Sequence, residues 1–284
     1  MSSRVHQSLV STTAALNTRV TLAGLVTVAV LASVPADAGP NGGTVVGGTA
    51  TIQGQGTSSV TINQSSQNTI INWATFNIGK SETTTFNQPN SSSIALNRVI
   101  GGQGPSFLDG TLTANGRVFI VNGDGILFGR NAVINTAGFL ATTNNIHDTD
   151  FMAGKYNFNI PGRPDASIVN LGSITATNGG FAALVAPGVR NSGTITATLG
   201  TVSLAAGNAF TLDFYGDRLI TLAVGDQIAS KVIDVATGKP LSSLVGNDGN
   251  IHASGGRVEL TAAAARALAA AITAALDAVP VGLR

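Results

Sequence analysis

A short pattern led by glycine recurs along this chain and constrains its fold more than any other feature. The pattern is Gly, any residue, Ile or Leu, any residue, Ala or Thr, and then Ser, Thr or Asn. Copies begin at Gly110, Gly138, Gly172, Gly193 and Gly249. The tightest spacing, from Gly172 to Gly193, is 21 residues. A repeat of this length is typical of a fold in which stacked units share one core.

A second glycine follows six to eight residues later in four of the five copies and opens another alternating run. These runs begin at Gly116, Gly180, Gly200 and Gly256. Two short strands joined by a glycine corner describe one coil of a β-solenoid, whose apolar face is buried only when coils stack. Asn170 and Asn191 occupy the same place one coil apart, which predicts a ladder of stacked amides.

The composition favours an ordered β-rich domain. Charged residues make up 10% of the chain, apolar residues 43%, and the formal net charge is +1. This apolar content argues against intrinsic disorder. The small net charge gives no basic surface for phosphates, so we predict no nucleic-acid partner. Cysteine is absent, which excludes disulfides and thiolate chemistry.

Residues 1–38 have the features of a secretory signal peptide. The apolar run 20–34 ends at Pro35 and is shorter than the roughly 20 residues that span a membrane. Ala36 and Ala38 form the small-x-small pattern of a cleavage site. We predict cleavage after Ala38, and an uncleaved membrane anchor is the alternative.

The remaining chain, 39–284, reads as one domain with several parts. These parts are an N-terminal cap (39–78), coils (79–260), insertions within the coils near 144–165 and 225–247, and a C-terminal segment (261–284). A cap is expected because an open coil would expose unpaired strand edges. The C-terminal segment is Ala-rich with apolar residues four apart, which favours a helical cap. The beginning of a further coil is the alternative.

Residues that could carry chemistry are few. His147 with Asp148 and Asp150 offers an imidazole and two carboxylates, a reasonable metal-ligand set, although the polarity of a loop explains it equally well. Asp213 and Asp217 flank a short turn, and paired carboxylates serve glycosidic chemistry only at a defined separation. We predict that the protein is not an enzyme and that it binds no metal or cofactor.

Several motifs occur in the order found in one known family. They are the stretches 73–79, 86–101, 112–129, 139–143 and 151–158. Together these stretches resemble the N-terminal domain of filamentous haemagglutinin-type exoproteins, the two-partner secretion domain of Gram-negative bacteria. The resemblance covers about 41–260, almost the whole mature chain.

This resemblance implies an all-β fold, a right-handed parallel β-helix with an N-terminal cap and extra-helical hairpins. It also implies export through the periplasm to the cell surface or the medium. The implied partner is an outer-membrane TpsB-type transporter, which would recognise the domain through its periplasmic POTRA domains. We expect the domain to be a monomer.

The family's two best-known motifs fall on two turns of this chain. Asn-Pro-Asn-Gly-Ile is matched by Asn122-Gly123-Asp124-Gly125-Ile126, in which Gly and Asp replace Pro and the second Asn. Asn-Pro-Asn-Leu is matched only in part by Gln88-Pro89-Asn90-Ser91, which keeps Pro and the second Asn. Both stretches have the composition of tight turns. The resemblance implies a role for them in transporter recognition, and a purely structural corner is the alternative.

The strand 94–99, with Asn97 and Arg98, is the third candidate for recognition. An exposed edge there or at the cap would suit binding by strand addition. Two other functions stay open from the sequence. One is a surface adhesin that binds a host-cell glycan or protein, and the other is a carbohydrate-active β-helix enzyme. The chain itself could be a stand-alone module, a truncated product or a fragment.

Overall fold

The computed structural model describes residues 39–223, 227–228 and 231–265. Regular structure there is almost entirely β-strand, arranged in coils that stack in parallel along one axis. The predicted parallel β-helix is confirmed. The signal peptide with Ala36 and Ala38, and residues 266–284, lie outside the described residues. Among the described residues, no helix is long and apolar enough to cross a membrane.

The first face of the coils is a parallel sheet whose outward side chains are mainly Thr, Ser and Asn. Its strands are β3 (Ser59–Gln64), β5 (Thr83–Asn87), β8 (Thr111–Ala114), the first half of β11 (Val133–Thr142), the first half of β14 (Ser173–Ala186), β16 (Thr194–Thr196) and β22 (Asn250–His252). Inward residues such as Val60, Leu112 and Ile174 are fully buried, because alternate residues of a strand face opposite sides.

The second face follows the glycine corner of each coil, where the sequence predicts it. Its strands are β4 (Asn68–Trp73), β6 (Ile94–Val99), β9 (Arg117–Val121), the second halves of β11 and β14, β17 (Thr201–Ala206) and β23 (Arg257–Ala262). One copy of the repeat differs from the expectation. Gly138 pairs with Arg117 and Phe181 on this second face, so it does not open a first-face strand.

A third face of very short strands completes each coil and was not predicted. Its strands are β7 (Ser106–Leu108), β10 (Ile126–Phe128), β13 (Ser167–Asn170), β15 (Gly188–Asn191) and β21 (Val245–Asn247). The predicted amide ladder lies here. The Nδ2 of Asn170 donates to the Oδ1 of Asn191 at 2.8 Å, and Asn191 donates in turn to Asn247 at 2.7 Å.

The N-terminal cap is smaller than the sequence suggests. Two antiparallel strands form it: β1 (Thr44–Gly47) pairs with β4, and β2 (Ala50–Gln53) pairs with β3. Strands β3 and β4 already pair in parallel with β5 and β6. The coils therefore begin at Ser59 rather than after residue 78. The sequence does not separate cap from coil, because apolar residues alternate in the same way in antiparallel and parallel strands.

Two excursions leave the helix and join each other. The first carries α1 (Asp148–Met152) and β12 (Asn157–Phe158). The second begins at about 207, earlier than the expected 225, with the hairpin of β18 (Phe210–Leu212) and β19 (Ile220–Leu222). β12 pairs with β18, and the rings of Phe158 and Phe210 stack with their centres 4.7 Å apart.

The end of the described chain is strand, not helix. β23 continues to Ala262, and β24 (Ala264–Ala265) pairs in parallel with β20 (Gln227–Ile228) of the second excursion. The helix expected over 261–284 therefore does not begin at Thr261. Its alanines have helical propensity, but pairing with a neighbouring strand overrides propensity at these positions.

Candidate functional site

The turn Asn122–Ile126 is a tightly bonded corner between the second and third faces. The main-chain N–H of Asp124 donates to Asn122 Oδ1 at 2.9 Å, and that of Gly125 donates to Asn122 O at 3.1 Å. Gly125 has a φ of 116°, which suits glycine. Asn122 is 3% exposed, and its Nδ2 donates to Gly104 O and to Ser106 Oγ.

Neighbouring segments also cover this turn from outside. The N–H of Arg163 donates to Gly123 O at 2.9 Å, and the N–H of Ser106 donates to Gly125 O at 3.1 Å. Asp124 is the charged residue of the turn, and its side chain is 25% exposed. It lies 4.0 Å from Arg163, whose pKa is raised by its hydrogen bond with Asp165. In the folded domain, the Asn122 side chain and Ile126 are not accessible to a partner.

The second turn is divided between a buried anchor and an exposed tip. Gln88 is buried, and its Nε2 donates to Gln64 Oε1 at 3.0 Å and to Ser93 O at 3.2 Å. Pro89 and Asn90 are exposed, and Asn90 Oδ1 accepts the N–H of Ser92 at 2.9 Å. The tip 89–92 is thus an exposed loop that is anchored by a buried glutamine.

Asn97 and Arg98 lie on β6, where the sequence suggested a free strand edge. That expectation is wrong, because β6 pairs with β4 on one side and β9 on the other. Asn97 is fully buried and accepts a hydrogen bond from Trp73 Nε1 at 3.0 Å. The free edges at this end belong to β1 and β2, each of which is paired on one side.

Arg98 is 8% exposed and holds the first excursion against the coil. Its Nε donates to Asn145 Oδ1 at 2.8 Å, and one terminal nitrogen donates to Ile146 O at 3.0 Å. The same nitrogen forms an ion pair with Asp148 at 2.6 Å. Neither Asn97 nor Arg98 presents its polar group to solvent as a recognition residue of the folded domain would.

Two of the carboxylates considered for chemistry, those of Asp148 and Asp213, have local structural roles. Asp148 belongs to the ion pair with Arg98, and no group of three metal-ligating side chains occurs in the described part of the chain. Asp213 Oδ1 accepts the N–H groups of Tyr215 and Gly216 at 2.9 and 3.0 Å. That carboxylate closes the turn of the β18–β19 hairpin.

The stacked coils and the two excursions define a class of protein, the parallel β-helix with extra-helical elements. A family model described as the TPS secretion domain matches residues 36–277. The chain belongs to this family. Its members are the secretion domains of two-partner secretion exoproteins, which are exported across the outer membrane to the cell surface or secreted, and which in general have a TpsB transporter as partner.

Individual relatives agree with this assignment. The chain is 34% identical over 203 residues to a heme/hemopexin-binding protein of Haemophilus influenzae (strain ATCC 51907 / DSM 11121 / KW20 / Rd), covering 68% of this chain and 22% of that protein. A second Haemophilus influenzae protein of that name is 40% identical over 111 residues, 39% of this chain and 12% of that protein. The chain thus spans about a fifth or less of these relatives.

A solved structure is also similar. The crystal structure of the HMW1 secretion domain from Haemophilus influenzae matches with a TM-score of 0.63 and 34% identity, covering 79% of this chain and 56% of that one. These relatives are secretion domains and heme/hemopexin-binding proteins rather than enzymes.

Proposed function

We propose that this domain is the export signal of its exoprotein and that the transporter's POTRA domains recognise it in the periplasm before it folds. The burial of the motif residues carries this proposal. Gln88, Asn97 and Asn122 are 6%, 0% and 3% exposed in the folded domain. A partner that recognises these side chains must therefore contact them in an unfolded or extended chain.

Folding then removes the signal from the transporter. Asn122 loses its access when Gly104 and Ser106 accept its amide hydrogens and the segment at Arg163 covers the turn. Each coil that stacks also buries apolar surface, which stabilises the folded state by about 25 cal/mol per Å². Folding outside the outer membrane thus opposes return of the chain and supplies direction without a nucleotide.

The exposed loop 89–92 gives the proposal a second contact. Pro89 and Asn90 stay accessible in the folded domain, while Gln88 fixes the loop from inside. A partner can therefore contact this tip both before and after folding. Its contribution to recognition should depend less on the folded state than that of Asn122.

Export measured in cells with the cognate transporter tests this function. Asn122→Ala, Asp124→Ala and Asn90→Ala should each lower the amount of protein outside the cell, and the combination of all three should lower it most. Asn178→Ala is the matched control, because Asn178 is exposed and lies outside both turns. Normal export of the triple variant would contradict the proposal.

A further inference from the structure

A groove of about 560 Å³ runs along the outside of the β-helix, and Ser91 is the one residue of the two motif turns that lines it. The hairpin turn with Asp213 and Phe214 forms one wall. The other wall consists of the corners of successive coils, where Gly180, Gly200 and Gly256 lie one above another. The groove has a largely polar lining.

An arginine with no acidic partner lies in this groove. The guanidinium of Arg117 is 4.1 Å from the ring centre of Phe214 and 5.9 Å from that of Phe181. Arg117 is half-buried, and none of the ion pairs between described residues includes it. Its burial lowers its pKa, but arginine stays charged in proteins. A planar cation in this setting is suited to a carboxylate, which it binds through two parallel hydrogen bonds.

The aromatic support of Arg117 depends on a glycine. Gly138 lies between Arg117 and Phe181 in the second-face sheet. A Cβ at Gly138 would come within 2.5 Å of the Phe181 ring and 3.1 Å of the Arg117 side chain. Its absence allows the guanidinium and both phenylalanine rings to pack together, which holds the cation in place.

The carboxylate of Asp213, which lines the groove, is already hydrogen-bonded. Asp213 accepts two main-chain N–H groups through Oδ1, from Tyr215 and Gly216. Arg257, which also lines the groove, pairs with Glu259 at 3.4 Å. Arg117 is therefore the cation of this groove that is left for a ligand.

Two apolar side chains stand exposed beside the groove. Leu199 is 63% exposed and has a φ of 55°, a left-handed conformation that is costly for a residue other than glycine. Tyr215, at the tip of the hairpin turn, is 94% exposed. Strained backbone at a groove is a feature of binding sites, and an exposed aromatic ring offers a flat surface for stacking.

We infer that this groove binds an acidic oligosaccharide, with a uronate carboxylate on Arg117 and a sugar ring against Tyr215. The hydroxyl and amide groups of Thr177, Asn178 and Thr201 line the same groove and match sugar hydroxyls. A general polyanion site does not fit, since the charged residues that line the groove are Arg117, Arg257, which is paired with Glu259, and the acidic Asp213. The groove meets the proposed export signal only at Ser91 of the loop 89–92, and its function is exercised by the folded domain.

Calorimetric titration of the purified chain with tetragalacturonate tests the inference. We expect saturable binding, weakened roughly tenfold or more when the ligand is methyl-esterified, because the ester removes a charge-assisted pair. Arg117→Gln should weaken binding by a similar factor. The affinity of the Arg117→Lys variant should lie between those of the wild-type chain and Arg117→Gln. Tyr215→Ala should weaken it severalfold without affecting the fold, because that side chain is almost fully exposed.

Two controls decide between the outcomes. Arg130→Gln removes an exposed arginine outside the groove and should leave binding unchanged, and tetraglutamate supplies carboxylates without sugars. Failure of the wild-type chain to bind tetragalacturonate would overturn the inference. So would equal loss in Arg130→Gln, which would indicate non-specific attraction, or equally tight binding of tetraglutamate, which would indicate an acidic peptide site. Export should be normal in the Tyr215→Ala variant, so this test is independent of the secretion signal.

Discussion

Asn97 lies between stacked coils, where its amide makes three hydrogen bonds. Its Oδ1 accepts from Trp73 Nε1, and its Nδ2 donates to Ala95 O at 3.2 Å and Phe119 O at 3.3 Å. The indole N–H and both carbonyls would otherwise be buried in an apolar environment. A side chain that the sequence suggested for recognition therefore satisfies polar groups of the core.

Replacement of Asn97 should destabilise the domain. Asn97→Ala leaves the N–H of Trp73 buried without an acceptor, which costs about 1–3 kcal/mol. Urea unfolding followed by tryptophan fluorescence measures this directly, since Trp73 is the chain's single tryptophan. Asn178→Ala should change the free energy of unfolding by less than about 0.5 kcal/mol. Equal stability of the two variants would contradict the assigned role.

The glycine corners give a second test at single residues. A Cβ on Gly200 would collide with the carbonyl oxygen of Gly180 in the preceding coil, whereas a Cβ on Gly179 would meet nothing within 4 Å. Gly200→Ala should therefore cost about 3 kcal/mol or more. Gly179→Ala should cost only the strain of its φ of 76°, about 1–2 kcal/mol. Thermal melting of both variants checks the difference. A smaller loss of stability in Gly200→Ala than in Gly179→Ala would contradict close stacking of the coils.

Among the elements, the first excursion is attached to β6 by one arginine. Arg98 joins β6 to Asn145, to Ile146 and, through an ion pair, to Asp148 at the start of α1. The Asp148 side chain is 49% exposed, so it can be solvated when its partner is removed. Loss of Arg98 should therefore open the excursion locally and leave the coils folded.

Hydrogen exchange measures this local opening. Arg98→Ala should raise exchange of amides in α1 and β12 by roughly tenfold to a hundredfold, equivalent to about 1–3 kcal/mol of local stability. Amides of β14 and β17 should be unaffected. Arg130→Ala is the matched control, because Arg130 is exposed. Unchanged exchange in the excursion would show that Arg98 does not hold it.

The sequence predicts the elements that repeat but not those that depend on long-range pairing. The spacing of Gly172 and Gly193 predicts stacked coils, and Asn170 and Asn191 predict the ladder, because equivalent places in successive coils have similar residues. The third face was missed since strands of three or four residues are too short to show alternation. From the sequence, the β18–β19 hairpin is assigned to the coils of the β-helix, because hairpin strands and coil strands show the same alternation of side chains.

The same limit applies to the candidate site. The sequence located both turns, since Asn122–Ile126 and Gln88–Ser91 contain turn-forming residues. It did not show that Asn122 is covered from outside, because the covering segment at Arg163 is about forty residues away in the chain. The groove was missed for a related reason. Arg117, Phe181 and Phe214 come together only through stacking and the second excursion.

At the scale of the whole molecule, one apolar core runs through successive coils. Val202 and Leu204 are fully buried, but Val258 and Leu260, their partners in the last described coil, are 45% and 50% exposed. Each coil therefore offers apolar surface that the next coil would cover. Sequential stacking of this kind is consistent with a chain that folds as it leaves a transporter.

The accessibility of the proposed export signal also depends on whether the coils have stacked. The motif residues are accessible in an extended chain and become buried as the coils around them close. Recognition by the transporter and folding of the domain should therefore compete. The competition concerns the whole domain, because the contacts of Asn122 reach Gly104, Ser106 and Thr142 on neighbouring turns of the helix.

The most direct test is binding of the transporter's purified periplasmic region to this chain, measured below and above the chain's urea unfolding midpoint at concentrations that leave the POTRA domains folded. We expect saturable binding of the unfolded chain, weakened by Asn122→Ala and Asp124→Ala but not by Asn178→Ala. Binding of the folded chain should be weaker and should depend on the loop 89–92. Tighter binding of the folded chain, or equal binding of all three variants when unfolded, would contradict recognition before folding.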